Sequence, residues 1–258
     1  FFNPVHKMPL VEVIVGEHTS EATRRSIVAL SRRLGKTPVV VRDGPGFLVN
    51  RLLAFYTSES MWMLDEGHRV EDLDRAMVSW GMPMGPLALT DEVGIDVAAK
   101  VGHILQLAFP DRLSFPTWID EIGAPDRLGA KTGHGIYRYR KGRRTEPDDT
   151  LYERLGTTDR RVALDPTAVA ERAVLPMVNE AARCLEERVV ASPEELDLAM
   201  IMGTGFPPFR GGLCRWADAQ GLSRLVDEMG LLSESVGLRH RPSEALLQLA
   251  AAGGFYNA

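Results

Sequence analysis

The sequence predicts a mainly α chain: the C-terminal end of an α/β sheet, followed by an all-helical unit that occurs twice. Three observations carry this. Two apolar, β-branched runs flank one helical stretch, and none follows Asp43. From Phe47 onward the apolar residues Phe47, Leu48, Leu52, Phe55 and Tyr56 fall at helical spacing. The helical region then repeats its own landmarks.

Phe1-Phe2-Asn3-Pro4 reads as a loop. Met8 to Gly16 reads as a strand closed by glycine, with one charge, Glu12, inside an apolar run. A carboxylate in a strand buried on both faces needs a partner; on an edge strand it would sit in water, and both readings stay open. Thr19-Ser20-Glu21 opens a helix, with Thr19 or Ser20 as cap, Ile27, Val28, Leu30 and Leu34 as its inward face, and Gly35 as its end. Thr37 to Val41 is a second strand, so strand, helix, strand follow in the order of a crossover in a mostly parallel sheet. Gly44-Pro45-Gly46 breaks that strand, and Asn50 lies in the first turn of the helix that follows, at the junction of the sheet and helical regions.

Within the helical region Asp74-Arg75-Ala76-Met77 is answered by Asp197-Leu198-Ala199-Met200, and Gly81-Met82-Pro83 by Gly205-Phe206-Pro207. Thr90-Asp91 matches Ala217-Asp218, followed by Gly94 and Gly221. Gly135-Ile136-Tyr137 matches Gly254-Phe255-Tyr256. Each copy is about 100 to 120 residues, the size of one domain. In the second copy Ser192 is the expected cap of a short helix with Pro193 in first position. Gly142 to Thr158, charged and turn-rich, reads as the linker. Met61, Met63, Met77, Met82 and Met84 read as core fillers.

The 258 residues carry a net charge of −5, so a basic nucleic-acid footprint is absent and nucleic acid is not an expected partner. No apolar run approaches the roughly 20 residues that span a bilayer. Two cysteines, Cys184 and Cys214, suit a reducing compartment and give no metal spacing. The six histidines read as surface or turn residues, with no metal pair and no nucleophile pattern among them. Gly44-Pro45-Gly46 mimics a dinucleotide loop, but the third glycine and the later acidic residue are missing; Gly203-Thr204-Gly205 fails likewise. Pattern alone stops at a sheet end plus a duplicated helical domain.

The stretches FFNPVHKMPLVEVIVG, KTPVVVRDGPGFLVNRLL, GMPMGPLALTDEVGID and AKTGHGIYRY closely resemble the L-3-hydroxyacyl-CoA dehydrogenase family. The second copy resembles the C-terminal half of the multifunctional fatty-acid oxidation α-subunit type, which fuses an enoyl-CoA hydratase (a lyase) to this dehydrogenase. The resemblance implies the end of an NAD-binding Rossmann domain over 1–44, a first helical dehydrogenase C-terminal domain over 45–145 and its duplicate over 160–258. It implies oxidation of L-3-hydroxyacyl-CoA to 3-oxoacyl-CoA with NAD, in a bacterial, cytoplasmic setting. The family's catalytic histidine immediately precedes the Phe-Phe-Asn-Pro motif, so its position falls before Phe1, and His6 is not its counterpart. The family's substrate-contacting serine and glycine-rich NAD loop also belong upstream. On the matching positions, Glu12 pairs with that histidine, Asn50 contacts substrate near the nicotinamide, Asn3 lines the nicotinamide side and Trp216 lies near the acyl-CoA. Expected partners are the acyl-CoA substrate and a homodimer mate or thiolase subunit. An alternative reading makes the chain a non-catalytic dimerisation and substrate-lid module that docks a thiolase. A third, another NAD-linked hydroxyacid dehydrogenase, fits less well because those enzymes do not combine FFNP with GPGFLVNR.

Overall fold

The computed structural model describes residues 1–160, 162 and 165–257. Positions 161, 163, 164 and 258, all inside the expected second helical domain, lie outside the described residues. The chain divides into two compact units, Phe1–Leu53 with Leu175–Ala258, and Ala54–Val174.

The first unit holds the sheet. Strands β1 (Leu10–Val15) and β2 (Thr37–Arg42) pair in parallel, Leu10 opposite Thr37 through Val15 opposite Arg42. Between them runs helix α1 (Glu21–Arg33), capped by Ser20, whose side chain accepts from the Thr23 N–H. The expected inward face of α1 is corrected: Ile27, Leu30 and Leu34 are 42%, 47% and 56% exposed, and only Ser31 is buried. Two strands are too narrow a sheet to cover a whole helical stripe. Gly44 to Phe47 then reverses the chain. Pro45 and left-handed Gly46 (φ 72°) occupy the middle of a type II turn closed by Phe47 N–H donating to the Gly44 carbonyl at 3.0 Å. Phe47 itself is held at φ 50°, so helix α2 (Val49–Asp65) starts two residues later than the apolar spacing suggested.

The rest of this unit is helical. It takes in part of α8 (Pro166–Glu186) and then α9 (Pro193–Thr204), α10 (Leu213–Gln220), α11 (Leu222–Ser235) and α12 (Glu244–Ala252). Ser192 caps α9 with Pro193 in first position, as expected. Helix α9 packs on both strands. Its Gly203 makes this possible: a Cβ there would stand 2.6 Å from a Leu10 methyl carbon.

The second unit contains the body of α2 with α3 (Val70–Trp80), α4 (Pro86–Val93), α5 (Ile95–Ala108) and α6 (Trp118–Ile122). Tyr56, Met61, Met63, Leu73, Met77 and Leu87 are fully buried in its core, so three of the five expected methionine fillers lie there; Met82 is also buried and Met84 half-buried. The expected linker is folded. An antiparallel hairpin, β3 (Tyr137–Arg140) with β4 (Arg143–Pro147), is followed by α7 (Thr150–Leu155). Its anchor is Asp148, a buried carboxylate bonded by Arg127 at 2.7 Å, His134 at 2.6 Å, Arg138 at 2.9 Å and the Thr150 hydroxyl at 2.8 Å. A buried charge persists only with such a complement, which local composition does not reveal.

Two histidines keep to turns, as expected, but are not on the surface. His240 is fully buried and His68 is 7% exposed, packed at turns that the fold covers. Both cysteines are buried free thiols. Among the described residues no acidic, histidine or cysteine cluster could hold a metal ion, and no helix is long and apolar enough to cross a membrane.

Candidate functional site

The site begins with Glu12. Strand β1 carries it to the point where the Gly44–Phe47 turn delivers the start of α2. The residue before helix α2 is Leu48, which has no side-chain acceptor, and the helix's leading N–H groups need acceptors. Glu12 supplies one: its Oε1 accepts from the backbone N–H of Leu48 and of Val49, each at 3.0 Å. Of the two sequence readings of Glu12, the structure shows the partnered carboxylate rather than one left in water. It is half-buried, and its partner within this chain is the positive end of a helix. Burial pushes the Glu12 carboxyl above its ordinary value, against the lowering pull of the two N–H donors. No donor among the described residues engages Oε2.

Asn50 is the next residue on the same turn. It is exposed, and its amide makes no hydrogen bond among the described residues. Arg51 points the other way and is 3% exposed. Its guanidinium meets Glu180 at 2.6 Å and Glu187 at 2.8 Å, and Arg183 reaches Glu180 at 3.0 Å. The first turn of α2 is therefore fixed at two points, by Glu12 on its backbone and by two acids on Arg51, with a free amide between them.

Of the remaining expected site residues, Asn3 is exposed on the loop leading into β1. Trp216 is not brought to this turn by any described contact. It is 3% exposed within α10, whose neighbours are α9, α11 and the 3-10 turn Pro208–Arg210.

Sequence reasoning missed two constellations. First, Glu12 is one of a set of carboxylates that each take two consecutive backbone N–H groups. Asp74 accepts from Leu87 and Ala88 at the start of α4 and from the Tyr137 hydroxyl. Asp197 does the same for Cys214 and Arg215 at the start of α10, and for the Tyr256 hydroxyl. Asp91 accepts from Ile136 and Tyr137, and Asp218 from Phe255 and Tyr256. The repeated Asp-x-Ala-Met and Gly-x-Tyr landmarks were the signal. Second, Arg172 meets Glu59 at 2.7 Å and Glu66 at 2.8 Å, the reciprocal of Arg51 with Glu180 and Glu187, and Arg51, Glu59 and Glu66 are spaced along the chain as Arg172, Glu180 and Glu187 are. Equal spacing in the two copies could have exposed it.

Glu12 differs from the capping aspartates in one respect. Asp74 and Asp197 use both oxygens; Glu12 takes both N–H groups on one oxygen and keeps the other available. A carboxylate fixed on one side, partly buried and free on the other can orient an external N–H donor and stabilise positive charge on it. The neighbouring amide can donate to an oxygen of a bound molecule.

Residues 1–44 match the family described as 3-hydroxyacyl-CoA dehydrogenase, NAD binding domain. Residues 46–139 and again 169–257 match its C-terminal domain. The chain is 45% identical over 258 residues to the fatty acid oxidation complex subunit alpha of Shewanella loihica, covering 99% of this chain and 36% of that protein. The Shewanella halifaxensis counterpart is 46% identical over 254 residues, again 36% of its length. The chain thus spans about a third of these curated relatives. Among solved structures, 3-hydroxybutyryl-CoA dehydrogenase from Escherichia coli superposes with a TM-score of 0.82 at 26% identity, over 97% of this chain and 69% of that one. The dehydrogenase part of multifunctional enzyme 1 from C. elegans gives 0.69 at 27% identity, over 96% and 58%.

Proposed function

Because the chain belongs to the 3-hydroxyacyl-CoA dehydrogenase family, we propose that it is the dehydrogenase portion of a β-oxidation multifunctional protein, oxidising L-3-hydroxyacyl-CoA to 3-oxoacyl-CoA with NAD. The observation that carries this is the Glu12 carboxylate, held by one oxygen at the start of α2 beside the exposed Asn50 amide, with Oε2 open. In the family pattern a histidine stands immediately before Phe1. Glu12 Oε2 then accepts the ring N–H of that histidine, fixes its tautomer and stabilises the imidazolium formed when the ring takes the C3 hydroxyl proton. Burial that raises the Glu12 pKa strengthens this pairing by keeping water from competing.

Asn50 donates from its amide to a substrate oxygen and sets the C3 centre in line for transfer. NAD, when bound, supplies the hydride acceptor. The chain's own residues fit only the nicotinamide end of that group: Asn3 is exposed on the loop before β1, and no phosphate-cradling glycine loop joins β1 to α1. Trp216 of α10 is carried over from the family resemblance as the aromatic residue near the acyl-CoA. The proposed domain division is 1–44, 45–145 and 160–258. The relatives' designation as a subunit of a fatty acid oxidation complex supports an assembly partner; a thiolase subunit or second copy, a hydratase elsewhere in the longer protein and a cytoplasmic location are carried over from the family resemblance alone.

The test is NAD-dependent oxidation of a 3-hydroxyacyl-CoA by the full-length protein carrying Glu12→Gln. The amide keeps the shape but not the charge, and turnover is expected to fall about 10²-fold or more. Unchanged turnover would overturn the role of Glu12.

A further inference from the structure

Asn50 works only if the turn that carries it stays in place, and that turn is gripped from below. Arg51 is buried, and its planar fork is engaged by Glu180, itself fully buried, and by Glu187. Surface ion pairs are weak and mobile, whereas a desolvated, multiply bonded guanidinium resists displacement. Both acids come from the second helical copy, on α8 and the residue just past it. A shift of about 1 Å in a substrate-positioning group can cost 10²-fold in rate.

We propose that Glu180 and Glu187 are positioning residues for Asn50: by clasping Arg51 they fix the first turn of α2, so that the second copy, without contributing a group to the chemistry, sets the orientation of the substrate-binding amide. The inference rests on the reading of Asn50 given above. Glu12 fixes the backbone at Leu48 and Val49, and the clasp fixes the next turn position, Arg51. Asn50 is the residue between the two anchors.

The molecule contains its own control. Arg172 is clasped by Glu59 and Glu66 at matching distances, but the residue before it is Glu171, not an amide. The outer arms of the two clasps are equally exposed, Glu187 at 32% and Glu66 at 33%. In the full-length protein Glu187→Gln and Glu66→Gln are expected to lower the urea midpoint equally. Only Glu187→Gln should lower kcat, by about three- to tenfold, with Glu66→Gln at the wild-type value. Arg51→Lys, which keeps the charge and loses the fork, should lower kcat at least as much, and adding Glu187→Gln to it should lower kcat no further. A kcat for Glu187→Gln within twofold of that for Glu66→Gln overturns the proposal. Asn50→Ala separates the two claims. If it turns over like wild type, the reading of Asn50 fails; if it is impaired while both glutamine variants match wild type, that reading stands and the clasp has no positioning role.

Discussion

The two long helices each carry a clasped arginine, in the first turn of α2 and in the second turn of α8, and differ in the residue before it. Helix α2 opens with Asn50-Arg51, and the corresponding segment of α8 reads Glu171-Arg172. Both arginines are clasped by two glutamates, and both copies close the start of a later helix with a buried aspartate and a tyrosine hydroxyl. What the copies share is the set of charge-assisted bonds without which buried helix ends would be orphaned. What they do not share is the exposed amide beside a half-engaged carboxylate. The entrance of α8 is capped instead by Asp165, which accepts from Thr167 at 2.9 Å. Scaffold and site are thus separable within one chain, because one copy holds the first without the second.

If the aspartate caps are purely architectural, they should weigh the same in both copies. Asp74→Ala leaves two buried N–H groups and the Tyr137 hydroxyl without an acceptor, and Asp197→Ala does the same to its set. Each is expected to lower unfolding free energy by about 4 kcal/mol, read from urea denaturation. A difference between them larger than about 2 kcal/mol would show that the copies are not equivalent scaffolds.

Asp148 tests the hairpin that begins at Tyr137 in copy 1. Burial raises its carboxyl, but hydrogen bonds from His134, Thr150 and Arg138 and the charge of Arg127 more than offset that and hold it well below the usual range. A depressed value means its stabilisation is complete above the ordinary carboxylate pKa, near 4, and is lost as pH falls towards the folded value. Asp148→Asn should therefore cost about 3 kcal/mol at neutral pH. The gap from wild type should close as unfolding is measured progressively below pH 4, and a gap independent of pH would mean that charge is not what anchors the hairpin.

The site itself should divide the copies sharply. Asn50→Ala is expected to reduce dehydrogenase activity of the full-length protein about 10²-fold. Glu171→Ala, its counterpart in α8, should leave activity within twofold. Comparable losses would place both of these positions in the machinery. The smallest effect concerns helices α5 and α11, of equal length. Leu107, 83% exposed on α5, stands where α11 carries Glu234. Leu107→Glu should change stability by no more than about 0.5 kcal/mol in thermal or urea unfolding.

The parallel strand pair, the Ser20 and Ser192 caps, the break at Gly44-Pro45-Gly46, the duplicated landmarks and the first-turn place of Asn50 were all legible as sequence, since period, turn chemistry and capping are set within a few residues. The inward face of α1, the fate of residues 142–158 and the burial of His240 were not, because each depends on what the rest of the chain lays over it. The same holds at the site. Sequence could say that Glu12 required a partner and that Arg51 followed Asn50; only the tertiary structure decided that the partner within this chain is the entrance of α2 and that the acids on Arg51 come from α8. Those pairings join groups far apart along the chain, and a charge leaves no local mark of which distant group will compensate it once both are taken out of water.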